Sequence, residues 1–245
     1  MVKKIIIFLL VFLMCRSSFA AFTLDTSAES AASAANPLTL AYTCGANAKL
    51  LVLAIGTGTN TSRTGGSPTY NGVTMLRVGT EILGAAEVTS ELWYLSGPET
   101  GSSLNISVPN SGTKTIRLAA SSFNNTGTGV IGAGLESFTT TNTTAANPSL
   151  SITPATDGTV IVDSLADGNT TVPSANSQTL IFKNDNGSWS NNSQYALVGT
   201  RAATTFSWTV NSDDVAFVVG VFKESVGALI QGDSLIKDTS VINGQ

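Results

Sequence analysis

Thr205-Phe206-Ser207-Trp208-Thr209-Val210 places a bulky apolar side chain at every second position and a hydroxyl between each. A period of two belongs to a strand, whose successive side chains point to opposite faces. Asp214 to Lys223 continues the pattern, with Val215, Phe217, Val219 and Val221 on one face. Working outward, the same signal recurs in short runs broken by Gly, Asn, Pro and Ser. Leu38 to Cys44, Ser90 to Leu95, Ser103 to Val108, Thr115 to Ala119, Leu150 to Ile152, Val160 to Leu165, Leu180 to Lys183 and Tyr195 to Val198 all read as strands. Leu50-Leu51-Val52-Leu53-Ala54-Ile55 is apolar on both faces, as in a central strand. Tyr70-Asn71-Gly72-Val73 is a hairpin signal, because Asn and Gly both tolerate positive φ. Asn124 to Pro148 is rich in Thr, Asn and Gly around one apolar piece, Leu135 to Phe138, and reads as a long connection between two halves. The fold class expected is all-β: an antiparallel, jelly-roll-like β-sandwich of about 10–12 strands. No segment sustains a helical period. No internal repeat is legible, which argues against a solenoid or propeller.

Residues 1–20 form a separate unit. Lys3 and Lys4 precede a short apolar run, Ile5 to Met14, and Ser18-Phe19-Ala20 offers small residues at a cleavage site. This is the pattern of a secretory signal peptide. The run is too short to cross a bilayer as a helix, and no later stretch is longer. Phe12-Leu13-Met14 is too bulky ahead of Cys15 for a lipoprotein signal. The organisation expected is a signal peptide at 1–20, a β-sandwich domain at 21–225 and a C-terminal tail at 226–245. The protein is expected to be secreted, on the cell surface or in the periplasm. The tail carries Leu229, Ile230, Leu235, Ile236, Val241 and Ile242, too apolar for a loose linker, and could dock on its own domain or on a neighbouring subunit.

Only 11% of the chain is charged, and the formal net charge is −4. Losing Lys3, Lys4 and Arg16 with the signal makes it about −7. That sign argues against nucleic acid and anionic membrane surfaces, both of which need clustered Lys and Arg. Ser and Thr, about a quarter of the residues, supply solubility instead of charge. After cleavage Cys44 alone remains of the 2 cysteines. It shares a face with Leu38, Leu40 and Tyr42, so burial as a small hydrophobe is expected.

Histidine is absent, which removes Ser-His-Asp and Cys-His catalysis and imidazole metal ligation. Paired carboxylates for glycoside hydrolysis could come from Glu81, Glu87, Glu91, Glu136, Asp163 or Asp167. None lies in a closely alternating acidic strand motif. Glu91 and Trp93, two apart on a strand, would share a face and set a carboxylate beside an indole, although a partly wet sheet surface has the same pattern. Calcium suits the oxygen-rich Asn184-Asp185-Asn186-Gly187-Ser188 and Asn211-Ser212-Asp213-Asp214 loops, with Asp185, Asp213 and Asp214 as its ligands, although turns use the same residues. Trp189 in its polar loop could stack on a sugar ring, with Asn184, Asp185, Asn186 and Asn191 reaching hydroxyls, or could fold over the sandwich edge. The polar loop at 57–67 is a second place for recognition.

Lys49 to Ala54, Tyr70-Asn71-Gly72-Val73-Thr74-Met75 with Arg77-Val78, Glu91-Leu92-Trp93-Tyr94-Leu95, and Thr204 to Lys223 around Ser207-Trp208-Thr209 carry a family likeness. They resemble a broad group of uncharacterised secreted jelly-roll or lectin-like β-sandwich domains in bacterial and phage surface proteins. The resemblance covers about residues 38–223. It implies an accessory or display module without a catalytic motif. The expected function is therefore a non-enzymatic module for surface or carbohydrate recognition and adhesion, with a polysaccharide or cell-surface glycan as partner. The alternatives are a structural subunit of a filament, coat or matrix, self-associating through its tail, and a polysaccharide-degrading enzyme.

Overall fold

The computed structural model describes residues 22–226, apart from 60, 64, 81, 85–86, 112–113, 128, 170–172, 176, 186–187, 212 and the side chain of Asp185. The expected signal segment and residues 227–245 of the expected tail lie outside that range.

Every regular element is a strand, and every strand pairing is antiparallel. The first half holds β1 (Thr23–Glu29), β2 (Leu38–Tyr42), β3 (Ala48–Thr57), β4 (Thr69–Tyr70), β5 (Val73–Thr74), β6 (Leu76–Arg77), β7 (Ile82–Leu83), β8 (Thr89–Ser96), β9 (Leu104–Val108) and β10 (Ile116–Asn124). They form an inner sheet ordered β1-β10-β3-β8-β6, with β7 also on β8, and an outer sheet ordered β2-β9-β4-β5. The second half holds β11 (Val130–Thr143), β12 (Ser149–Ile152), β13 (Thr159–Asp167), β14 (Ser174–Ala175), β15 (Thr179–Asp185), β16 (Ser190–Val198), β17 (Thr204–Thr209) and β18 (Val215–Val226). Its inner sheet runs β11-β18-β13-β16-β15 and its outer sheet β12-β17-β14.

The two inner sheets pack on each other, and each outer sheet covers the far side of its own inner sheet. Strand alternation divides the side chains among three apolar layers. From β3, Leu50, Val52 and Ala54 meet Val160, Val162, Val218 and Phe222 of the second half. The intervening Leu51, Leu53 and Ile55 meet Tyr42, Tyr70, Ile106 and Val108 of the first outer sheet. In the second half, Ile161, Leu165, Phe217 and Val219 face away from the centre and pack on Phe206 and Trp208. This explains the continuous apolar run of β3, because a strand covered on both faces loses its polar face. Cys44 is buried in the first outer layer, as its alternation predicts. The Asn71-Gly72 hairpin forms between β4 and β5, with φ of 48° and 78°.

The halves are structural repeats. β1, β10, β3 and β8 occupy the places of β11, β18, β13 and β16, and β2, β9 and β4 those of β12, β17 and β14. Register agrees as well as order. Phe123 lies opposite Leu50 as Phe222 lies opposite Val160, and Tyr94 opposite Val52 as Tyr195 opposite Val162. The edge strands share a bulge, after Leu24 in β1 and after Leu135 in β11. The bulged residues are both acidic. Asp25 accepts from the Gly45 amide at 2.7 Å, and Glu136 from the Ala155 amide at 2.5 Å, each fixing the turn that enters the central strand. Ala-Ala-Asn-Pro precedes both β2 and β12, at 34–37 and 145–148.

Two expectations change here. The stretch taken as a connection at 124–148 is largely β11, a half-buried edge strand whose Thr residues fit the pleat without clear apolar alternation. The described strands number 18 rather than 10–12, several of them only two residues long, because two sandwiches are stacked. The repeat escaped notice in the sequence because it preserves layer and register more than residue identity.

Candidate functional site

The polar loop after β3 folds back over β8. Arg63 leads this closure. Its Nε donates to Glu91 Oε1 at 2.9 Å and its Nη2 to Glu91 Oε2 at 3.1 Å, a fork-to-carboxylate pair buried on both sides. The same guanidinium donates to the carbonyls of Pro109 and Gly66. Glu91 Oε2 also accepts from Trp93 Nε1 at 2.7 Å. Glu91 and Trp93 do share a face, as their spacing requires. That face is buried rather than wet, because the loop covers it.

Beside this pair lies an open hollow of about 460 Å³, lined by Ser62, Gly66, Ser67, Thr74, Leu76 and Arg77 with Trp93 at its base. β6 sets Arg77 directly opposite Trp93. The guanidinium carbon of Arg77 sits 5.4 Å from the indole centroid, and that of Arg63 5.9 Å. Cation–π attraction of this kind is worth about 0.5–1 kcal/mol near the surface. Trp93 is only 6% exposed, so its ring offers little area for stacking and serves to hold Arg77. The sequence pairs Glu91 with Trp93 on one strand face and offers the 57–67 loop separately. The structure joins the loop to that pair and adds Arg77, which the sequence offers only as part of the family likeness and not as a site residue.

Trp189 is placed differently from the expected platform. It is 5% exposed and packs with Val88, Ala166 and Ala216, plugging one end of the seam between the halves. Gly56 and Gly58 make this possible, since a Cβ on either would strike the indole. The exposed-platform reading is therefore corrected to the edge-covering one. Asn191 is buried against Gly56, and its Nδ2 donates to the Arg117 carbonyl. Asn184 Nδ2 donates to Glu29 at 2.6 Å, tying β15 to β1. Asn186 and the side chain of Asp185 lie outside the described residues.

The calcium expectation is revised for Asp213 and Asp214, while the side chain of Asp185 lies outside the described residues. Asp214 Oδ2 accepts from the amides of Glu87 at 2.6 Å and Val88 at 3.1 Å, and Asp213 Oδ1 accepts from the Asp214 amide at 2.7 Å. These carboxylates are turn acceptors. Among the described residues no group of three acidic or cysteine side chains could hold a metal ion. Asp167 is buried nearby. Burial pushes its pKa up to about 7, against the pull of the Asn169 amide, and Asp213 and Asp214 push the same way.

Of the other acids weighed for hydrolysis, Asp163 is buried between β13 and β17. It accepts from the Gln194 amide at 2.6 Å and Trp208 Nε1 at 2.8 Å. Burial outweighs those donors and pushes its pKa up to about 8. Asp163 is thus engaged inside the protein, and Glu91, although it borders the hollow, is engaged by Arg63 and Trp93.

No family model, curated protein or solved structure matches the chain. No helix among the described residues is long and apolar enough to cross a membrane.

Proposed function

We propose that this protein is an exported, non-catalytic β-sandwich module that recognises carbohydrate or a cell-surface glycan through the hollow beside Trp93. The observation that carries this reading is a polar hollow with a fixed floor. Arg63 and Glu91 lock the loop, and Ser67, Thr74 and Arg77 line one opening. Preorganised polar groups in a concavity are what a hydroxylated ligand needs. The second half supports the assignment by contrast. Asn192 and Gln194 stand where the first half has Glu91 and Trp93, and Gln194 is tied to the Ser207 carbonyl and the Gln178 amide. The repeated scaffold thus diverges at the positions that line this hollow. Each half winds between its two sheets in the order that supports the jelly-roll reading. Export rests on the signal-like residues 1–20.

A glycan screen on residues 21–245 tests the reading. Binding that is lost when Thr74 and Ser67 are both changed to bulky Leu supports it. Binding untouched by that double change would move recognition elsewhere.

A structural role in a filament, coat or matrix has one observation behind it. Ile131 and Val226 are exposed at one end of the β11–β18 ladder, where the chain leaves for the apolar tail. Deleting 227–245 should then abolish any self-association seen by light scattering.

A further inference from the structure

The ligand's chemistry can be narrowed, on the reading that the hollow binds saccharide. Neutral sugars are commonly gripped by an open aromatic face, and here the indole is covered. What the hollow presents instead is a cation. Arg77 is exposed, and no carboxylate among the described residues lies within ion-pair distance of it. The one carboxylate in the lining, Glu91, is neutralised by the Arg63 fork and the Trp93 N–H. Among the described residues the local balance is therefore positive, in a chain whose net charge is −4. Trp93 steadies the guanidinium from below, which reduces the freedom it would lose on binding. Ser67 and Thr74 line the same hollow and carry hydroxyls able to donate to an anion's remaining oxygens.

We infer that the hollow takes an acidic saccharide, with a carboxylate or sulfate group seated on Arg77. The planar fork matches either anion through paired N–H donors. Overall negative charge disfavours such a polymer on much of the surface, so a local positive centre such as Arg77 matters for where it binds.

The test is calorimetric titration of residues 21–245 at low salt with three probes: an oligogalacturonate, its fully methyl-esterified counterpart, and a sulfated chondroitin tetrasaccharide. The expected result is that at least one acidic probe binds about tenfold more tightly than the neutral ester, in keeping with charge-assisted hydrogen bonds. R77Q should erase that preference and R77K should restore part of it. Arg77 is exposed, so neither change threatens the fold, and circular dichroism confirms this. Equal binding of ester and acid overturns the acidic-ligand inference while leaving the saccharide reading intact. Acidic binding that R77Q does not alter overturns the assignment to this hollow. No binding by any probe, nor by neutral glycans in the screen above, overturns the saccharide reading and the inference with it.

Discussion

Tyr94 of the first half packs on Phe222 of the second, with ring centroids 5.3 Å apart and planes tilted by 58°. Its counterpart Tyr195 packs on Phe123, the counterpart of Phe222, at 5.6 Å and 65°. Each half thus gives the other what it receives. That reciprocity is the signature of an isologous, two-fold contact, here made within a single chain. Gly220 lies in the same seam, where a Cβ would crowd Val78 and Leu92 of the first half.

The reciprocal pairs should therefore matter about equally. Phe123→Ala and Phe222→Ala are each expected to cost about 3–5 kcal/mol, the usual range for emptying a core aromatic site. Urea unfolding of both variants measures this. A large loss at one position and almost none at the other would contradict the two-fold seam.

Neither half should be soluble by itself. Residues 21–126 alone would present Leu50, Val52, Ala54, Leu92 and Phe123 to water. Such a fragment is expected to aggregate or to pair with itself through the uncovered face. Sedimentation of the fragment decides, and a well-behaved monomer would show that the seam contributes little.

The Arg63–Glu91 pair should hold the loop closed. Breaking a buried pair by removing one partner typically costs about 3–5 kcal/mol, because the remaining charge stays buried. Glu91→Gln is expected to lower stability and to speed proteolytic nicking within 58–68. Limited proteolysis with mass mapping gives the site of cleavage. An unchanged digestion pattern would mean the loop is held by other contacts.

Stability should fall as pH rises from about 5 to 8. Asp163 and Asp167 have folded pKa values raised to about 8 and about 7, above their ordinary value in the unfolded chain. Between those limits the folded state binds more protons than the unfolded state. The stabilising contribution is complete below pH ~4 and is lost as pH climbs through the folded values. Denaturant midpoints across this range should decline, and Asp163→Asn with Asp167→Asn should flatten the decline. Parallel curves for wild type and the double variant would remove these two groups as its cause.

Cys44 should be inert in the native state. It is fully buried, and burial pushes its thiol pKa up to about 11. Thiolate is the reactive form, so a thiol-labelling reagent should react only at the rate of unfolding. Rapid labelling without denaturant would place Cys44 nearer the surface.

The sequence by itself determined the all-β class and most of the longer strands, the Asn71-Gly72 hairpin, the face of Cys44 and the double-sided burial of β3. Each follows from a local rule: a period of two, positive φ at two adjacent residues, or the absence of a polar face. It also put Glu91 and Trp93 on one side of a strand. Only the tertiary structure decided what met those faces. Alternation says that a side chain is buried but not against which partner, so the stacking of two repeated sandwiches was not legible. Polar neighbours made Trp189 look exposed, yet Gly56 and Gly58, distant in the chain, open the space that buries it. Arg77 figures in the sequence only within the family likeness, and nothing local marks it as a site residue. Its place above Trp93 comes from the β6–β8 register, a pairing between strands that the sequence leaves unspecified until the sheet is assembled.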